Sequence, residues 1–329
     1  MKPIQALRHR RQLLAGLLGL CAGRAPAQWP TAGGRSLRLT VAYPPGGTSD
    51  DTARELARRL EARLGLRVIV DHKPGAGGAV AMEALSRTRA DDAELCFSAI
   101  TPLLQLPQVG PARYDPERDI ATVAAIMQTP VLVVATPVLQ AATLADMIAL
   151  ARLKPGALRW ASSGHGTTGS LVLEQVRATA GVDITHVPYA GGGQQVNDAL
   201  AGHFELLSTN VAARQLAYVR EGRLRALAVG SPQRLAVLPE VPTLAELGFP
   251  SANLSSLFGV FASARCGPDR LDHWHSHIAA VLREPEFRQR LLAVGNLPAD
   301  MSRQDFARRI AVETKAVRSL YEGVSTPPR

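Results

Sequence analysis

The stretch from residue 37 to residue 59 constrains the fold most, because it joins a strand, a glycine turn and a helix. Apolar and polar residues alternate from Leu37 to Val41, which predicts a half-buried strand. The letters PPGG interrupt this strand, and apolar residues at helical spacing follow from Ala53 to Leu64. Thr48 and Asp51 fit a capping box, so the helix is predicted to begin at Thr48.

A helix that begins directly after such a turn is suited to an anion. The first backbone N–H groups have no partner within the helix, and the positive end of the helix dipole points into the turn. A strand–turn–helix unit that binds nothing can have the same local sequence, so this stretch alone leaves both interpretations open.

The same arrangement recurs twice further along the chain. A strand predicted over residues 157–162 runs into the turn SGHGTT and a helix that ends at Gly181. A strand over residues 184–189 runs into AGGG and a helix to Leu200. If helix N-termini from two domains face one cleft, several fixed N–H donors would suit a small carboxylate.

The first 27 residues predict an export signal. A basic segment precedes the apolar run Leu13–Ala22, which is too short to span a bilayer, and Ala25-Pro26-Ala27 is an A-x-A cleavage site. The mature chain would start at Gln28 in the periplasm. Arg10-Arg11 also fits a twin-arginine signal, so either export route remains open.

The net charge of +9 does not predict a nucleic-acid partner. Without the five basic residues of the leader, 32 basic residues face 28 acidic ones, a net charge of +4. The mature chain has no basic block that would follow a phosphate backbone. We therefore expect no nucleic acid as a partner.

Catalysis and cofactors are not predicted. Ser163 lies beside His165, but adjacent residues in one turn rarely form a nucleophile–base pair, and no G-x-S-x-G motif occurs. The glycines at 75 and 77 fit only the start of a dinucleotide fingerprint, since position 80 is Val. We assign no catalytic residue and no cofactor.

A metal site is also not predicted. His273 and His277 share one face of a predicted helix, but no third ligand is apparent. Cys96 and Cys266 could pair in an oxidising compartment, and we favour two separately buried thiols instead, with Cys96 inside a strand.

Several motifs in order resemble the substrate-binding proteins of tripartite tricarboxylate transporters, the TctC or Bug family. They read PPGGTSDDTAR, GLRVIVDHKPGAGG, KPGALRWASSGHGT, HVPYAGGG and LRALAVGSPQRLAVLPEVPTLAELG. The resemblance implies an α/β, two-lobed periplasmic binding protein of the type II-like Venus flytrap class. Such a protein has mixed, mostly parallel sheets flanked by helices, joined by two crossover segments, and it binds small carboxylic acids.

The resemblance also suggests the domain organisation. Lobe 1 would comprise residues 28–124 plus 252–329, and lobe 2 would comprise residues 125–251. Within residues 120–135, Gln128-Thr129-Pro130 separates two apolar runs. We therefore expect a strand, a crossing segment and a second strand there.

Ligand-binding residues are predicted at the turns of both lobes. Ser98 and Thr101 join them because ligands lie beyond the carboxyl ends of parallel strands. The set in lobe 1 is Tyr43, Pro45, Gly46, Gly47, Thr48, Asp50, Ser98 and Thr101. The set in lobe 2 is Ser163, Gly164, His165, Gly166, Thr167, Thr168, Tyr189, Gly191, Gly192, Thr209 and Asn210.

Departures from the family pattern narrow the range of expected ligands. Members that bind amino acids have an acidic residue after the strand predicted at residues 204–208, where this chain has Thr209-Asn210. Ala190 stands where a polar residue is common, and Leu257-Phe258-Gly259 replaces a frequent Trp-Tyr-Gly. We expect a non-amino organic acid, with an apolar or aromatic body, and no amino acid.

The expected role is that of a monomeric receptor that passes a small carboxylate to membrane transporter subunits. A receptor that presents its ligand to a sensor ectodomain is the alternative, and an exported hydrolase is a weaker one. His165 replaces the Asn common in its loop. It could donate to the ligand, confer pH dependence, or face solvent without contacting the ligand.

Overall fold

One long strand, Ile120–Ala135 (β4), runs through the middle of the sheet. The computed structural model describes residues 36–90, 92–104 and 113–324, without the side chains of residues 316 and 319–324. The predicted leader and its cleavage site lie outside these residues. Within the described ranges, no helix is both long and apolar enough to cross a membrane.

The remaining strands flank β4 in both directions. They are β1 (Ser36–Val41), β2 (Arg67–His72), β3 (Glu94–Ala99), β5 (Arg159–Ser162), β6 (Thr185–Pro188), β7 (Leu206–Asn210), β8 (Arg225–Gly230), β9 (Ser255–Ser263) and β10 (Leu297–Pro298).

Helices cover the sheet. They are α1 (Thr48–Leu64), α2 (Ala79–Ser86), α3 (Thr101–Leu104), α4 (Pro116–Asp119), α5 (Leu144–Leu153), α6 (Thr168–Ala180), α7 (Gly192–Leu200), α8 (Ala213–Arg220), α9 (Pro268–Leu282), α10 (Pro285–Leu292) and α11 (Arg303–Val324), with short 3₁₀ turns at Ala76–Gly78 and Pro250–Ala252.

The sheet has the strand order β2-β1-β3-β9-β4-β7-β5-β6, and β8 and β10 also pair with β4. Strand β1 pairs in parallel with β2 and β3, and β5 pairs in parallel with β6 and β7. All pairings that involve β4 or β9 are antiparallel. The sheet is therefore mixed. Its two ends consist of βαβ units, and the carboxyl ends of their parallel strands face the centre.

The prediction of two strands separated by a crossing segment at residues 128–130 is wrong, because β4 is one continuous strand that itself passes from β9 to β7 and β8 there. Pro130 pairs with Ser255 of β9, and its carbonyl accepts a hydrogen bond of 3.0 Å from the N–H of Val211. Proline lacks an N–H but keeps its acceptor, so it fits where the strand passes from one set of neighbours to the other.

Apolar packing divides between the two ends of the sheet, which we call the first half (β1–β3, β9 and the start of β4) and the second half (β5–β8 and the end of β4). Buried residues of the first half include Leu39, Leu56 and Phe97, and those of the second half include Trp160 and Val172. Each half buries both faces of its part of the sheet, since a second apolar cluster lies on the opposite face in each half, as expected for α/β layers.

The two cysteines pack in separate clusters. Both Cys96 and Cys266 are buried, and no disulfide joins them. Burial raises the pKa of the Cys96 thiol to about 12. The preference for separately buried thiols is confirmed, and so is the position of Cys96 within a strand.

Candidate functional site

Helix α1 begins at Thr48 as predicted, but the predicted capping box is wrong. Gly47 is the N-cap in an extended conformation, and no side chain caps the helix. The hydroxyl of Thr48 instead donates to the carbonyl of Val211 in the second half, at 2.9 Å. The first N–H groups of α1 therefore point into the cleft without a side-chain partner.

Asp50 stabilises this turn from behind. Its carboxylate accepts hydrogen bonds from the N–H of Gly46 at 2.9 Å and from Nε2 of His72 at 2.8 Å. Gly46 has φ +83°, a left-handed conformation that glycine adopts at little cost. Asp50 thus holds the backbone of the turn in place and is itself buried.

Helix α6 begins at the equivalent turn of the second half and is capped. The side chain of Thr167 accepts a hydrogen bond from the N–H of Ser170, and its hydroxyl donates to the carbonyl of Gly164 at 2.8 Å. Below the turn, the buried Ser162 Oγ lies 2.7 Å from Nε2 of His186. This turn satisfies much of its own hydrogen bonding.

The two halves contact each other at glycines. A Cβ on Gly191 would lie 2.3 Å from Cδ of Pro44, and one on Gly77 would lie 3.1 Å from the carbonyl oxygen of His165. The backbones therefore approach closer than other residues would permit at Gly191. Together with the Thr48 hydrogen bond, these contacts join the two halves across the cleft.

A cavity of about 60 Å³ lies between the turns. At about 30 Å³ for each water in the liquid, it has room for about two water molecules. Its wall consists of Tyr43, Pro44, Gly47, Thr48, Ser49, Ala99, Thr101, Ser163, Thr167, Thr168, Gly169, Gly192, Ser208, Thr209, Asn210, Gln215, Ser256 and Phe258. None of these described lining residues is charged.

Three helix N-termini reach this wall: those of α1 at Gly47–Ser49, of α6 at Thr167–Gly169 and of α7 at Gly192. Their dipoles and free N–H groups favour negative charge. Hydroxyl groups from Ser163 and Thr209 add neutral donors. The arrangement can bind an anion without a lysine or arginine.

Aromatic rings form the apolar side of the cavity. Tyr43 packs edge-on against Phe258 at 5.9 Å between ring centroids, and Phe258 stacks on Phe97 at 5.8 Å. The Tyr43 hydroxyl donates to the carbonyl of Gly77 at 3.3 Å. Burial raises the pKa of Tyr43 to about 12, so the phenol stays neutral.

Comparison with known proteins identifies the family. Residues 52–325 match the model of the tripartite tricarboxylate transporter family receptor, TctC. The chain belongs to the TctC family. Protein BugT of Bordetella pertussis is 32% identical over 276 residues, which cover 83% of this chain and 84% of BugT.

Solved structures show the same fold. A structure described as a periplasmic transporter is 27% identical, with a TM-score of 0.83, and the match covers 88% of this chain and 97% of that one. The R. palustris protein Rpa4515, solved with adipate, is 29% identical with a TM-score of 0.81, over 87% and 96% of the two chains. This TctC protein therefore has the α/β fold of periplasmic binding proteins.

The structure brings part of the predicted site to the cavity of this TctC protein. The predicted residues in the wall are Tyr43, Gly47, Thr48, Thr101, Ser163, Thr167, Thr168, Gly192, Thr209 and Asn210. Those outside it are Pro45, Gly46, Asp50, Ser98, Gly164, His165, Gly166, Tyr189 and Gly191.

Several of the residues outside the wall have a structural partner instead. The hydroxyl of Tyr189 donates to Asp198 at 2.7 Å, and burial, with this carboxylate, raises the pKa of Tyr189 to about 12. His165 is exposed, and its ring meets that of His186 edge-on at 4.7 Å. Both shape the turns of the second half from outside the cavity.

Eight wall residues were not predicted from sequence. They are Pro44, Ser49, Ala99, Gly169, Ser208, Gln215, Ser256 and Phe258. Most adjoin predicted residues in the chain, so wider turn boundaries would have included them. Gln215 had a separate signal, since it is a polar residue just beyond the carboxyl end of a strand, where ligands lie in open sheets.

The structure also shows the surroundings of the serines and histidines that were considered for catalysis or metal binding. Ser163 contributes to the cavity, whereas the serine close to a histidine is Ser162, which is fully buried. Burial lowers the pKa of His186 to about 4, and the charges of His165 and Arg177 add to this. Among the described residues, no group of three His, Cys, Asp or Glu side chains could hold a metal ion.

Proposed function

We propose that this TctC-family receptor binds a small organic acid without an amino group in the cavity between its two halves. It then delivers the acid to the membrane subunits of a tripartite tricarboxylate-type transporter. The observation that carries this proposal is the convergence of three helix N-termini on a cavity whose described wall has no charged side chain.

Several weak contributions combine at this site. One helix end favours an anion by only about 0.3–1 kcal/mol in an exposed position. Fixed donors in a partly enclosed cavity are stronger than on an open surface, because the lower local dielectric strengthens each hydrogen bond to a charged oxygen. The neutral wall also means that a bound carboxylate would displace no internal ion pair.

The wall disfavours an amino acid. An α-ammonium group needs acceptors, usually including a carboxylate, and no described wall residue is acidic. Thr209 and Asn210 occupy the place where amino-acid binders of the family have an acid, and Asn210 Oδ1 already accepts from Ser256 at 2.8 Å. Tyr43 and Phe258 would pack against an apolar body. Adipate in Rpa4515, an acid without an amino group, supports the same class.

Capture requires the cleft to open and close. The Thr48–Val211 hydrogen bond and the Gly191–Pro44 contact exist only when the two halves meet. A ligand that contacts α1 and α6 together binds only this closed arrangement and would shift the population towards it. We propose that the halves move as lobes about β4 and β9.

A thermal-shift screen tests the proposal. The purified protein, refolded once to remove carried-over ligand, is heated with aliphatic, hydroxy and aromatic acids, and with aspartate and glutamate. At 100 times its Kd a ligand adds about 2.7 kcal/mol to the free energy of unfolding. We expect stabilisation by a non-amino acid. No thermal stabilisation by any of the acids, or preferential binding of aspartate or glutamate, would contradict the proposal.

A further inference from the structure

A second cavity, larger than the one in the cleft, lies beside the first turns of α1, and we call it the side groove. Its volume is about 340 Å³, within the range of about 300–1,000 Å³ that is usual for small-molecule pockets. Helices α1 and α10 contribute most of its wall, and Ala212 and Ala213 at the start of α8 add residues from the second half. Among the described lining residues, the side groove shares only Thr48 with the cleft cavity. It is therefore a separate site with room for a small molecule.

The part of the wall that α8 and α10 contribute is largely apolar, whereas the part from α1 is polar. The apolar lining residues are Ala212, Ala213, Phe287, Leu291, Ala293 and Val294. A hydrocarbon group that packs against them is removed from water, which favours binding in proportion to the area covered. The side groove thus suits a ligand with an apolar portion.

Two opposite charges in this wall lack contacts. Asp51 of α1 and Arg290 of α10 both line the side groove and are exposed. Within the described part of the chain, neither side chain forms a hydrogen bond or an ion pair. Partial burial and the charge of Asp50 raise the pKa of Asp51, and Arg290 opposes this shift from a distance. Each of the two charges can therefore accept an opposite charge from a ligand.

The neighbouring acids of α1 differ from Asp51 in this respect. The carboxylate of Asp50 contacts the guanidinium of Arg54 at 2.7 Å. Glu55, which also lines the side groove, contacts Arg59 at 2.6 Å. Since these carboxylates already have cations, Asp51 is the acid of this wall that is left to bind a group from outside.

A ligand that matches the side groove carries a cation, an anion and an apolar group. An ammonium group fits Asp51, and a carboxylate fits the guanidinium of Arg290, which can donate two parallel hydrogen bonds to it. A simple carboxylate would leave Asp51 without a cation. A simple amine would add positive charge near Arg290 without an anion to balance it.

We propose that the side groove is a second binding site and that it takes a zwitterionic amino acid with an apolar side chain, such as leucine. This site lies outside the cleft cavity, to which the proposed function assigns an acid without an amino group. Ala212 directly follows Val211, whose carbonyl accepts the hydrogen bond from Thr48. An amino acid in the side groove therefore contacts both halves where they join, and its binding favours the same arrangement of the halves that the acid favours.

Titration calorimetry with leucine and three analogues tests the ligand class. The protein is first saturated with the best acid from the thermal-shift screen, so that the cleft cavity is occupied. The analogues are 4-methylpentanoate, which lacks the ammonium group, leucinamide, which lacks the carboxylate, and glycine, which lacks the apolar side chain. We expect leucine to bind about 10-fold more tightly than each analogue. Equal or tighter binding of any analogue, or no binding of leucine, would overturn the inference.

Two variants assign the binding to the side groove. Asp51→Asn and Arg290→Gln each remove a charge and nearly keep the size of the side chain. Each should weaken leucine binding about 10-fold and leave the affinity for the acid unchanged when leucine is absent. Circular dichroism of the variants checks that they are folded.

Asp269→Asn and Arg283→Gln are the matched controls. Asp269 is also an exposed acid in the first turn of a helix, and Arg283 is an exposed arginine just before α10, and neither lines the side groove. Both controls should bind leucine as the wild-type protein does. If Asp51→Asn and Arg290→Gln bind leucine as tightly as their controls, the side groove is not the site.

Competition separates this inference from the proposed function. Leucine in the side groove leaves the cleft cavity open, so the acid should bind at least as tightly in saturating leucine as without it. Displacement of the acid by leucine would assign leucine to the cleft, which overturns the inference and contradicts the exclusion of amino acids there. If no carboxylic acid binds, the same leucine titrations are made on the ligand-free protein. Leucine binding that requires Asp51 and Arg290 would then support the inference, although the proposed function had failed.

Discussion

The turns that begin α1 and α6 have similar sequences and use their hydroxyl groups differently. In both, a strand leads into a glycine-rich turn, and a threonine stands at the start of the helix that follows. In α6, Thr167 caps its own helix and bonds its own loop. In α1, Thr48 reaches across the cleft to Val211 instead. The Thr48 hydroxyl thus acts between the halves, and the Thr167 hydroxyl stabilises one half.

This difference assigns different roles to similar motifs. An N-cap side chain satisfies a helix N–H group that would otherwise be available to a ligand. The uncapped α1 leaves more of its N–H groups without a side-chain partner, and its Thr48 hydroxyl forms a bond that joins the two halves. A substitution at α1 should therefore change affinity, whereas one at α6 should change the stability of the fold.

The largest effect on binding is expected from Gly191→Ala, which breaks the contact between the halves. The backbone at Gly191 is extended, with φ 168°, so alanine is compatible with the local conformation. Its Cβ would nevertheless overlap the rigid ring of Pro44. We expect affinity for the best acid to fall about 10- to 100-fold in titration calorimetry, from the usual cost of overpacking.

Gly267→Ala is the control for this variant. Gly267 is also extended, and a Cβ there would meet no atom within 4 Å. The Gly267→Ala variant should bind the best acid with the same affinity as the wild-type protein. If Gly191→Ala binds as tightly as Gly267→Ala, then the halves do not need the observed contact to hold a ligand.

The stability of the protein should depend on pH through His186, which lies beneath the capped turn of α6. Burial lowers the pKa of His186 from 6.5 to about 4. Between these pH values the unfolded chain binds a proton that the folded protein does not, so the free energy of unfolding falls as the pH falls through this window. After allowance for partial exposure we expect His186 to contribute a loss of about 1–3 kcal/mol.

Urea unfolding at pH 7 and pH 4.5 measures this loss. His186→Gln should lose less stability on acidification than the wild type, because its amide does not titrate. His203→Gln, which changes an exposed histidine of the same half, should lose as much as the wild type. An unchanged pH dependence in His186→Gln would show that the buried histidine does not limit stability in acid.

Thr48→Val tests the uncapped turn. Valine keeps the shape of threonine but removes the bond to the Val211 carbonyl, which leaves a buried acceptor without that partner. We expect affinity to fall about 10-fold, with little change in the stability of the ligand-free protein. Thr52→Val is the control, since Thr52 is buried on the same helix and its hydroxyl contacts Met127 within the first half. Equal affinities in the two variants would contradict the cross-cleft role.

Thr167→Val tests the capped turn and should have the smallest effect on binding. Loss of an N-cap costs about 1 kcal/mol of stability. Urea unfolding of the ligand-free protein should show this loss for Thr167→Val and not for Thr48→Val. The reverse order of stabilities would refute the comparison between the two turns.

Local features of the fold could be predicted from sequence, and long-range hydrogen bonds could not. Alternation placed β1 correctly, and helical spacing placed α1 correctly. The capping box failed because the partner of Thr48 lies at Val211, far away in the chain. The division of β4 into two strands was also wrong, because long-range pairing with β9, β7 and β8 continues through Pro130, whose carbonyl accepts from Val211.

The candidate site also has residues that local sequence predicts and residues that only the folded packing reveals. Glycine and hydroxyl turns signalled the three helix N-termini, because their composition is distinctive. Gln215 was missed, since one glutamine in a short helix resembles a solvated residue until packing shows that it is buried. The predicted lobe boundaries and the ligand-binding roles of the wall residues stay predictions.

A crystal structure of the protein with its best-binding acid tests the central claim most directly. The account predicts one carboxylate within hydrogen-bond distance of the N–H groups of Thr48 and Ser49, inside the closed cavity, with no arginine or lysine in contact. A carboxylate paired instead with a surface guanidinium, such as Arg290 or Arg309 beside the neighbouring grooves, would contradict it.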